Sequence, residues 1–385
     1  MPMIARLRDA LKRSPLCALL LLGAAACWGL FRTAHVLYIH SRPGHPTPTH
    51  DLYTYYSIWY VLGHRDCADI ALRGSLYLPH TWFVLTPLFL LGWPAARTLM
   101  WVINVAAVIY ICWRLSELTS LQGVRRWLLL AFFLGWSATS NVIGLGNLAL
   151  VCLAAVVAAY PFSSSKSGFF LMLAAMKQSL VFPLYFHLLL KRPKTLIVPF
   201  ATFALCGLAV LWWARLGFTG GLKLLKYWGD SVSTWTAYDH TCMRRLLVPF
   251  IHNKLAVTVI MWGVWCSLFG VCARWIKDPL SQLAALLLLA LLPMYHNAYD
   301  MILAVPAMAV FMKRGPLVWP TLMTVALAWD PFRQLGKLLP AGPLRETALA
   351  LQLPYLPVLI LVFLGGLLYL EVRSPNQVNA APPLA

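Results

Sequence analysis

Charged residues are scarce in this sequence. Only 11% of its 385 residues are charged, 61% are hydrophobic, and the mean hydropathy is +0.72. Soluble domains carry about a quarter charged residues, so an ordinary soluble enzyme is excluded. Apolar runs of roughly 15 to 25 residues recur along the whole chain, and lipid is the solvent that tolerates them. The sequence therefore predicts an all-α polytopic membrane protein.

Acidic residues are scarcer still. There are 12 of them against 31 basic residues, which gives a formal net charge of +19. In a membrane protein, cytoplasmic loops and anionic lipid headgroups explain such an excess. Membrane lipids are therefore expected partners, and nucleic acid is not.

Several chemical motifs are also missing. The sequence has no Cys-x-x-Cys pair, no His/Cys cluster with zinc spacing, no Gly-x-Ser-x-Gly elbow, no His-Glu-x-x-His and no Walker motif. We expect no metal site, although a divalent cation as cofactor is left open. Seven of the nine cysteines lie in apolar runs, and only Cys67 and Cys242 lie in polar loops, where an oxidising compartment would let them pair.

The apolar runs predict a bundle of about twelve transmembrane helices with short outer juxtamembrane helices. We expect one domain over residues 1–373 and a disordered tail over 374–385. The basic N-terminus predicts a retained first span, with a cleaved signal peptide after Ala26 as the alternative. Counting crossings places Lys191–Lys194 and Lys313–Arg314 inside, and places Asp51 outside. The same count places Arg114, Arg125 and Arg126 outside, against the positive-inside tendency.

Asp51 begins the segment 51–60, whose spacing predicts an interfacial helix with Tyr55, Ile58 and Trp59 on one face. At the N-terminus of that helix an aspartate is either a cap or a fixed carboxylate at membrane level, and the two roles are compatible.

Lys177 lies in the middle of the apolar run 167–190, where an ionisable group is expensive and usually faces a cavity, partner or substrate. Arg32 lies within the first predicted span, where it either has such a functional role or extends its guanidinium to the membrane surface by snorkelling. His80, beside Pro79 at the expected start of the second span, fits either a phosphate or sugar contact or the interfacial belt.

Three further polar segments lie between apolar runs. Residues 141–147 predict a tight turn between helices that ends in Asn147. In the segment 293–300, His296 and Asp300 are spaced four residues apart and would share a helical face. The second outer loop mixes aromatic and charged residues, which fits an interface belt or recognition of sugar and phosphate; it carries Asp239, His240, Arg244 and Arg245.

Taken in order, these motifs resemble those of the GT-C membrane glycosyltransferases. More narrowly, the sequence resembles glycosyltransferase family 87, the polyprenyl-phosphate-mannose-dependent mannosyltransferases, from about residue 15 to 315. The matching motifs are Asp51-x-x-x-Tyr55-Tyr56, Tyr77-x-Pro79, Pro87-Leu88, Gly144-x-Gly146-Asn147, Lys177 and Pro293-x-x-His296-x-x-Tyr299-Asp300. Leu145 stands where the family often has Gln, and Asp239-His240-Thr241 where it often has Asn-Gln-Ser, which affects acceptor and sugar identity.

The resemblance implies transfer of a sugar, mannose in this family, from a polyprenyl-phosphate donor to a lipid or glycan acceptor. The site would face the periplasm or the outside of a bacterial inner membrane. Asp51 would be the general base, and cations would hold the donor phosphate: Lys177, His296, Arg244, Arg245 and Arg32. The expected substrate contacts are Tyr55, Tyr56, His80, Asn147, Asp239, His240 and Asp300.

Two alternatives remain beside this interpretation. A flippase or transporter of lipid-linked sugars would also have many spans, but the sequence shows no paired halves. A polysaccharide polymerase or ligase shares the substrate class.

Overall fold

The structure of the chain is a computed structural model. It describes residues 15–41, 50–63, 77, 79–162, 165–215, 217–223, 226, 230, 243–293, 298–315, 317–329 and 338–373. Within these ranges the protein is helical throughout and contains no strand, so the predicted all-α class is confirmed. The predicted tail over 374–385 lies outside the described residues.

The helices follow one another closely along the chain. The first half contains α1 (Pro15–Ser41), α2 (His50–Gly63), α3 (Pro79–Phe89), α4 (Trp93–Thr119), α5 (Gly123–Gly135), α6 (Ser137–Leu145), α7 (Ala149–Ala159), α8 (Ser165–Ala174) and α9 (Gln178–Lys191). The second half contains α10 (Ile197–Trp213), α11 (Arg244–Leu247), α12 (Lys254–Trp275), α13 (Pro279–Ala290), α14 (Val305–Arg314), α15 (Val318–Trp329) and α16 (Pro343–Arg373). Short 3₁₀ helices cover Ala175–Lys177, Pro193–Leu196 and Ala298–Ala304.

The chain forms two compact units. Unit 1 comprises Met1–His35, Val108–Asn141 and His240–Ala385, and unit 2 comprises Val36–Ala107 and Val142–Asp239.

Candidate membrane spans are fewer than the sequence suggested. Among the described residues, five helical stretches are long and apolar enough to cross a bilayer, or six if the pair α5 and α6, bent by 61°, is one span. The predicted count of about twelve is not confirmed. Several apolar runs form helices such as α7 and α13, of 11 and 12 residues, which are shorter than the ~20 residues that a crossing needs.

One of the five stretches, Lys166–Lys191, folds back on itself in unit 2. The Tyr185 hydroxyl donates to the carbonyl of Leu171 at 2.8 Å, and Arg192 Nη1 donates to the carbonyl of Pro161 at 3.3 Å. In a straight helix residues 171 and 185 would be about 21 Å apart, which no tyrosine side chain reaches. Helices α8 and α9 therefore form a hairpin with Lys177 at its apex.

The open end of this hairpin is basic. Lys166, Lys191, Arg192 and Lys194 are all exposed there, and α7 runs from the apex end to this basic end. Unit 2 thus has one basic end and, at the other end, the hairpin apex.

In unit 1, Arg125 lies beside the basic residues at the end of α14. Arg125 Nη1 donates to the carbonyl of Met312 at 2.9 Å, directly beside Lys313. The crossing count placed Arg125 outside and Lys313 inside, and this hydrogen bond shows that placement to be wrong.

Within unit 1, α1 packs closely against the bend between α5 and α6. A Cβ on Gly29 would lie 2.8 Å from the Cβ of Leu134, so only glycine allows this approach. The Trp28 indole donates to the carbonyl of Gly135 at 3.1 Å. That bond gives a partner to a carbonyl at the break in the helix, where lipid would offer none.

Candidate functional site

The candidate site lies in unit 2, and its first residue is Asp51. Asp51 is half-buried in the first turn of α2, where the positive end of the helix dipole favours a carboxylate. Of the residues predicted to share one face of this helix, Tyr55 and Ile58 are buried and Trp59 is half-buried, and Leu52 is buried as well. Asp51 is one turn away from Tyr55 on the same side of α2.

The turn after α6 brings a second residue to Asp51. Gly146 has φ of +64°, its N–H bonds to the carbonyl of Ile143, and the N–H of Asn147 bonds to the carbonyl of Val142. This is a Schellman cap, which ends the helix with a left-handed residue. A Cβ on Gly146 would lie 2.8 Å from the Cβ of Leu52, so the missing side chain lets the turn sit directly against α2.

Asn147 is fully buried and makes the central contact of the site. Its Nδ2 donates to Oδ2 of Asp51 at 2.7 Å, and its Oδ1 accepts the backbone N–H of Ala149 at 2.8 Å. A hydrogen bond to an ionised carboxylate is among the stronger kinds in proteins. The sequence indicated a tight turn here and a substrate contact, but not this bond to Asp51.

Lys177 reaches the same amide from the hairpin apex. Its Nζ lies 3.5 Å from Oδ1 of Asn147, and the residue is only 8% exposed. The apex is produced by the Lys177 backbone, with φ −119° and ψ 79°, which interrupts the helix between the 3₁₀ turn and α9. The Thr81 hydroxyl donates to the carbonyl of Met176 at 3.3 Å and so ties the apex to α3.

Aromatic side chains pack next to this polar group. The hydroxyls of Tyr55 and Tyr77 are 2.5 Å apart, and the rings meet edge to face. The Trp82 ring lies 6.3 Å from each of them, and Trp82 is 1% exposed. Neither Tyr77 nor Trp82 was among the predicted site residues, although each lies two residues away from the Pro79–His80 pair, which contains the predicted contact His80.

His80 is buried at the start of α3. Helix α3 begins at Pro79, as predicted, and the His80 ring packs against Phe203 of α10 with centroids 4.6 Å apart. Its Nε2 finds no hydrogen-bond partner among the residues that the structure describes. His80 is therefore a buried polar group with an open donor or acceptor position.

Tyr56 faces a different set of neighbours. Its ring lies 5.9 Å from Trp59, 5.5 Å from Phe89 and 5.5 Å from Trp93. This aromatic cluster is typical of an interfacial belt and does not include Asp51.

The remaining predicted residues lie elsewhere. Arg32, Arg244 and Asp300 belong to unit 1. The Arg32 guanidinium is 5.8 Å from the centroid of the Trp28 ring. Arg244 is the first residue of the short helix α11, and Asp300 lies in a 3₁₀ helix with 2% of its surface exposed. Five of the predicted residues lie outside the described part of the chain: His296, Asp239, His240, Cys67 and Cys242. The side chain of Arg245 lies outside it as well. In the described part of the chain no group of His, Cys, Asp and Glu could hold a metal ion.

The geometry and the comparisons together define the protein. An all-helical chain with several apolar helices of membrane length is an integral membrane protein. The model of glycosyltransferase family 87 matches residues 76–306, and the chain belongs to this family. His80, Asn147 and Lys177 lie inside the matched range, and Asp51 precedes it. Comparisons with curated proteins and with solved structures gave no match.

Proposed function

We propose that this membrane glycosyltransferase moves a sugar, mannose, from a polyprenyl-phosphate sugar to a lipid or glycan acceptor. The observation that carries the proposal is the grouping of Asp51, Asn147 and Lys177. It supplies a carboxylate and an ammonium, both within reach of one buried amide. Family membership favours a transferase over the transporter alternative.

In the proposed reaction the acceptor hydroxyl attacks the anomeric carbon of the donor sugar. The bond between that carbon and the phosphate oxygen breaks, and polyprenyl phosphate leaves with the bonding electrons. Asp51 accepts the proton of the acceptor hydroxyl, which is general-base help worth about 10²- to 10⁴-fold. The donor is already an activated phosphate ester, so no nucleotide takes part.

Lys177 is the cation proposed to hold the donor phosphate. Charge accumulates on the phosphate as the bond breaks, and a fixed ammonium in a buried site stabilises that charge strongly. Its place at a hairpin apex, held by Thr81, keeps it rigid. Within unit 2 the proposed substrate contacts are Tyr55, His80 and Asn147.

The proposed site faces away from the cytoplasm, at the outer side of a bacterial inner membrane. The support comes from unit 2 alone: the hairpin apex with Lys177 is at the end opposite to Lys166, Lys191, Arg192 and Lys194. Because basic residues concentrate on the cytoplasmic side, the apex end is the periplasmic or external one.

The test uses purified protein in nanodiscs, a short-chain polyprenyl-phosphate-mannose and a lipid extract of the host. Mass spectrometry should detect a species one hexose heavier than an acceptor lipid, and Asp51→Asn protein should not produce it. Donor that binds but is never consumed by the wild-type protein would contradict the proposal.

A further inference from the structure

Asn147 connects the two charged groups of the site. It is 0% exposed, and it contacts Asp51, Lys177 and the backbone of Ala149 with one side chain. Its backbone is held by the Schellman cap, in which its own N–H bonds to the carbonyl of Val142 at 3.1 Å. Both the main chain and the side chain of Asn147 are therefore fixed.

The orientation of the amide follows from its partners. The backbone N–H of Ala149 is only a donor, and the Lys177 ammonium is only a donor, so the atom they approach must be the amide oxygen. The amide nitrogen then points at Asp51, which accepts. A flipped amide would place an oxygen against a carboxylate oxygen and lose three favourable contacts.

We propose that Asn147 is a positioning residue that acts through Asp51 in the sugar-transfer reaction. The terminal torsion of an aspartate is broad, so a carboxylate without a fixed partner samples many orientations. The side-chain N–H of Asn147, which the turn and the bond to Ala149 hold in place, selects one of these orientations. This inference rests on the proposed function, in which Asp51 is the base.

The same amide also sets the position of Lys177. Oδ1 of Asn147 is 3.5 Å from Nζ of Lys177, so the proposed base and the proposed phosphate-binding cation both contact one rigid amide. The reacting atoms of sugar transfer lie between the base and the phosphate, and catalysis depends on holding such groups near a reactive geometry. Asn147 thus orients the base and keeps its spacing from the cation.

Asn147→Asp separates these contacts. An aspartate at this position keeps oxygen acceptors for Ala149 and Lys177, but it replaces the N–H donor by a second carboxylate oxygen that repels Asp51. We expect kcat to fall at least roughly 10- to 100-fold, because Asp51 loses a hydrogen bond and gains a like charge beside it. Asn147→Asp protein with wild-type kcat would overturn the inference.

Asn104→Asp is the matched control. Asn104 is also fully buried in unit 2, and its Nδ2 donates to the carbonyl of Val142 at 3.5 Å, next to the same turn. The control places an equal charge in a similar environment without touching Asp51. We expect its kcat per folded molecule to remain near that of the wild type, and an equal loss in both variants would mean that the effect of Asn147 is merely structural.

A donor–acceptor exchange tests the pair without relying on activity. The double variant Asp51→Asn with Asn147→Asp restores the hydrogen bond in the opposite direction. We expect its melting temperature to exceed that of Asn147→Asp alone, while sugar transfer stays absent because the base has been removed. A double variant no more stable than the single one would show that the two side chains are not coupled.

The kinetic comparison and the donor–acceptor exchange together distinguish failure of this inference from failure of the proposed function. If the wild-type protein transfers no sugar, the proposed function is wrong, and the exchange still decides whether Asn147 and Asp51 form a coupled pair. If the wild-type protein is active and Asn147→Asp equals it, only the positioning role is wrong.

Discussion

Two polar clusters in this protein use the same kinds of groups differently. In unit 1, Arg314 contacts Glu371 at 2.7 Å and Asp278 at 3.0 Å, and Glu371 also accepts the backbone N–H groups of Lys277 and Asp278. In unit 2, a neutral amide lies between carboxylate and ammonium, 2.7 Å from Asp51 and 3.5 Å from Lys177. The first arrangement joins helix ends through direct charge pairs, and in the second one amide contacts both the proposed base and the proposed phosphate-binding cation.

Only the second cluster belongs to the proposed site, so the two clusters should respond differently to mutation. Charges that are paired directly and hydrogen-bonded have satisfied one another, and removing one partner leaves the other buried and uncompensated. In the second cluster a carboxylate and an ammonium contact the same amide, next to the buried rings of Tyr55 and Trp82. We therefore expect variants in the first cluster to change stability and variants in the second to change turnover.

The largest expected effect is that of Asp51→Asn. The variant is nearly isosteric, so the protein should express and fold, while sugar transfer should fall about 10²- to 10⁴-fold because the proton acceptor is lost. Turnover measured by mass spectrometry, with melting temperature as the control for folding, checks this. Wild-type turnover by the variant would remove Asp51 from the mechanism.

Lys177→Ala should have the next largest effect. Without the ammonium we expect use of the polyprenyl-phosphate donor to weaken roughly 10- to 100-fold, as for other hydrogen bonds to charged groups, with a smaller change in the acceptor KM. Steady-state kinetics with each substrate varied in turn measures the two effects. Lys166→Ala is the control, because this exposed lysine lies at the basic end of the same hairpin. An equal weakening for donor and acceptor would contradict a phosphate role.

Gly146→Ala should reduce turnover through geometry alone. The new Cβ would meet the Cβ of Leu52 at 2.8 Å and displace α2 beside Asp51, and small misplacements of catalytic groups cost up to about 100-fold. Gly92→Ala is a matched control: its φ is +80°, but nothing lies within 4 Å of the added Cβ. Both variants should be less stable, and only Gly146→Ala should lose turnover per folded molecule. Equal turnover in both would mean that the close approach to Leu52 does not matter.

The smallest effect on turnover belongs to Glu371→Gln, although its effect on stability is large. Breaking a buried ion pair typically costs about 3–5 kcal/mol, so we expect a clear fall in melting temperature with unchanged kcat per folded molecule. Glu117→Gln is the surface comparison, because Glu117 pairs with Arg114 at 3.1 Å on an exposed helix face. An exposed pair is worth about 0–1 kcal/mol, so that variant should melt near the wild-type temperature. If the two variants melted alike, the unit 1 cluster would not stabilise the fold.

The sequence anticipated a good part of the site because local rules apply there. Proline opens α3 at Pro79, the 3.6-residue period predicted the buried face with Tyr55, and an ionisable residue in an apolar run drew attention to Lys177. These features depend on neighbours within a few residues along the chain. The bond from Asn147 to Asp51 joins residues 96 apart, so no local pattern indicates it.

The sequence by itself determined that this is a helical membrane protein, since it has little charge and its apolar runs are continuous and not alternating, which is typical of helices in lipid. It did not determine how many runs cross the membrane, because hydrophobicity is the same for a span and for half of a hairpin. The tertiary structure decided that residues 166–191 turn back at Lys177 and that Arg125 lies beside Met312. It also brought Asp51, Asn147 and Lys177 together, because a packed bundle can join three distant side chains only after the turns between its helices are in place.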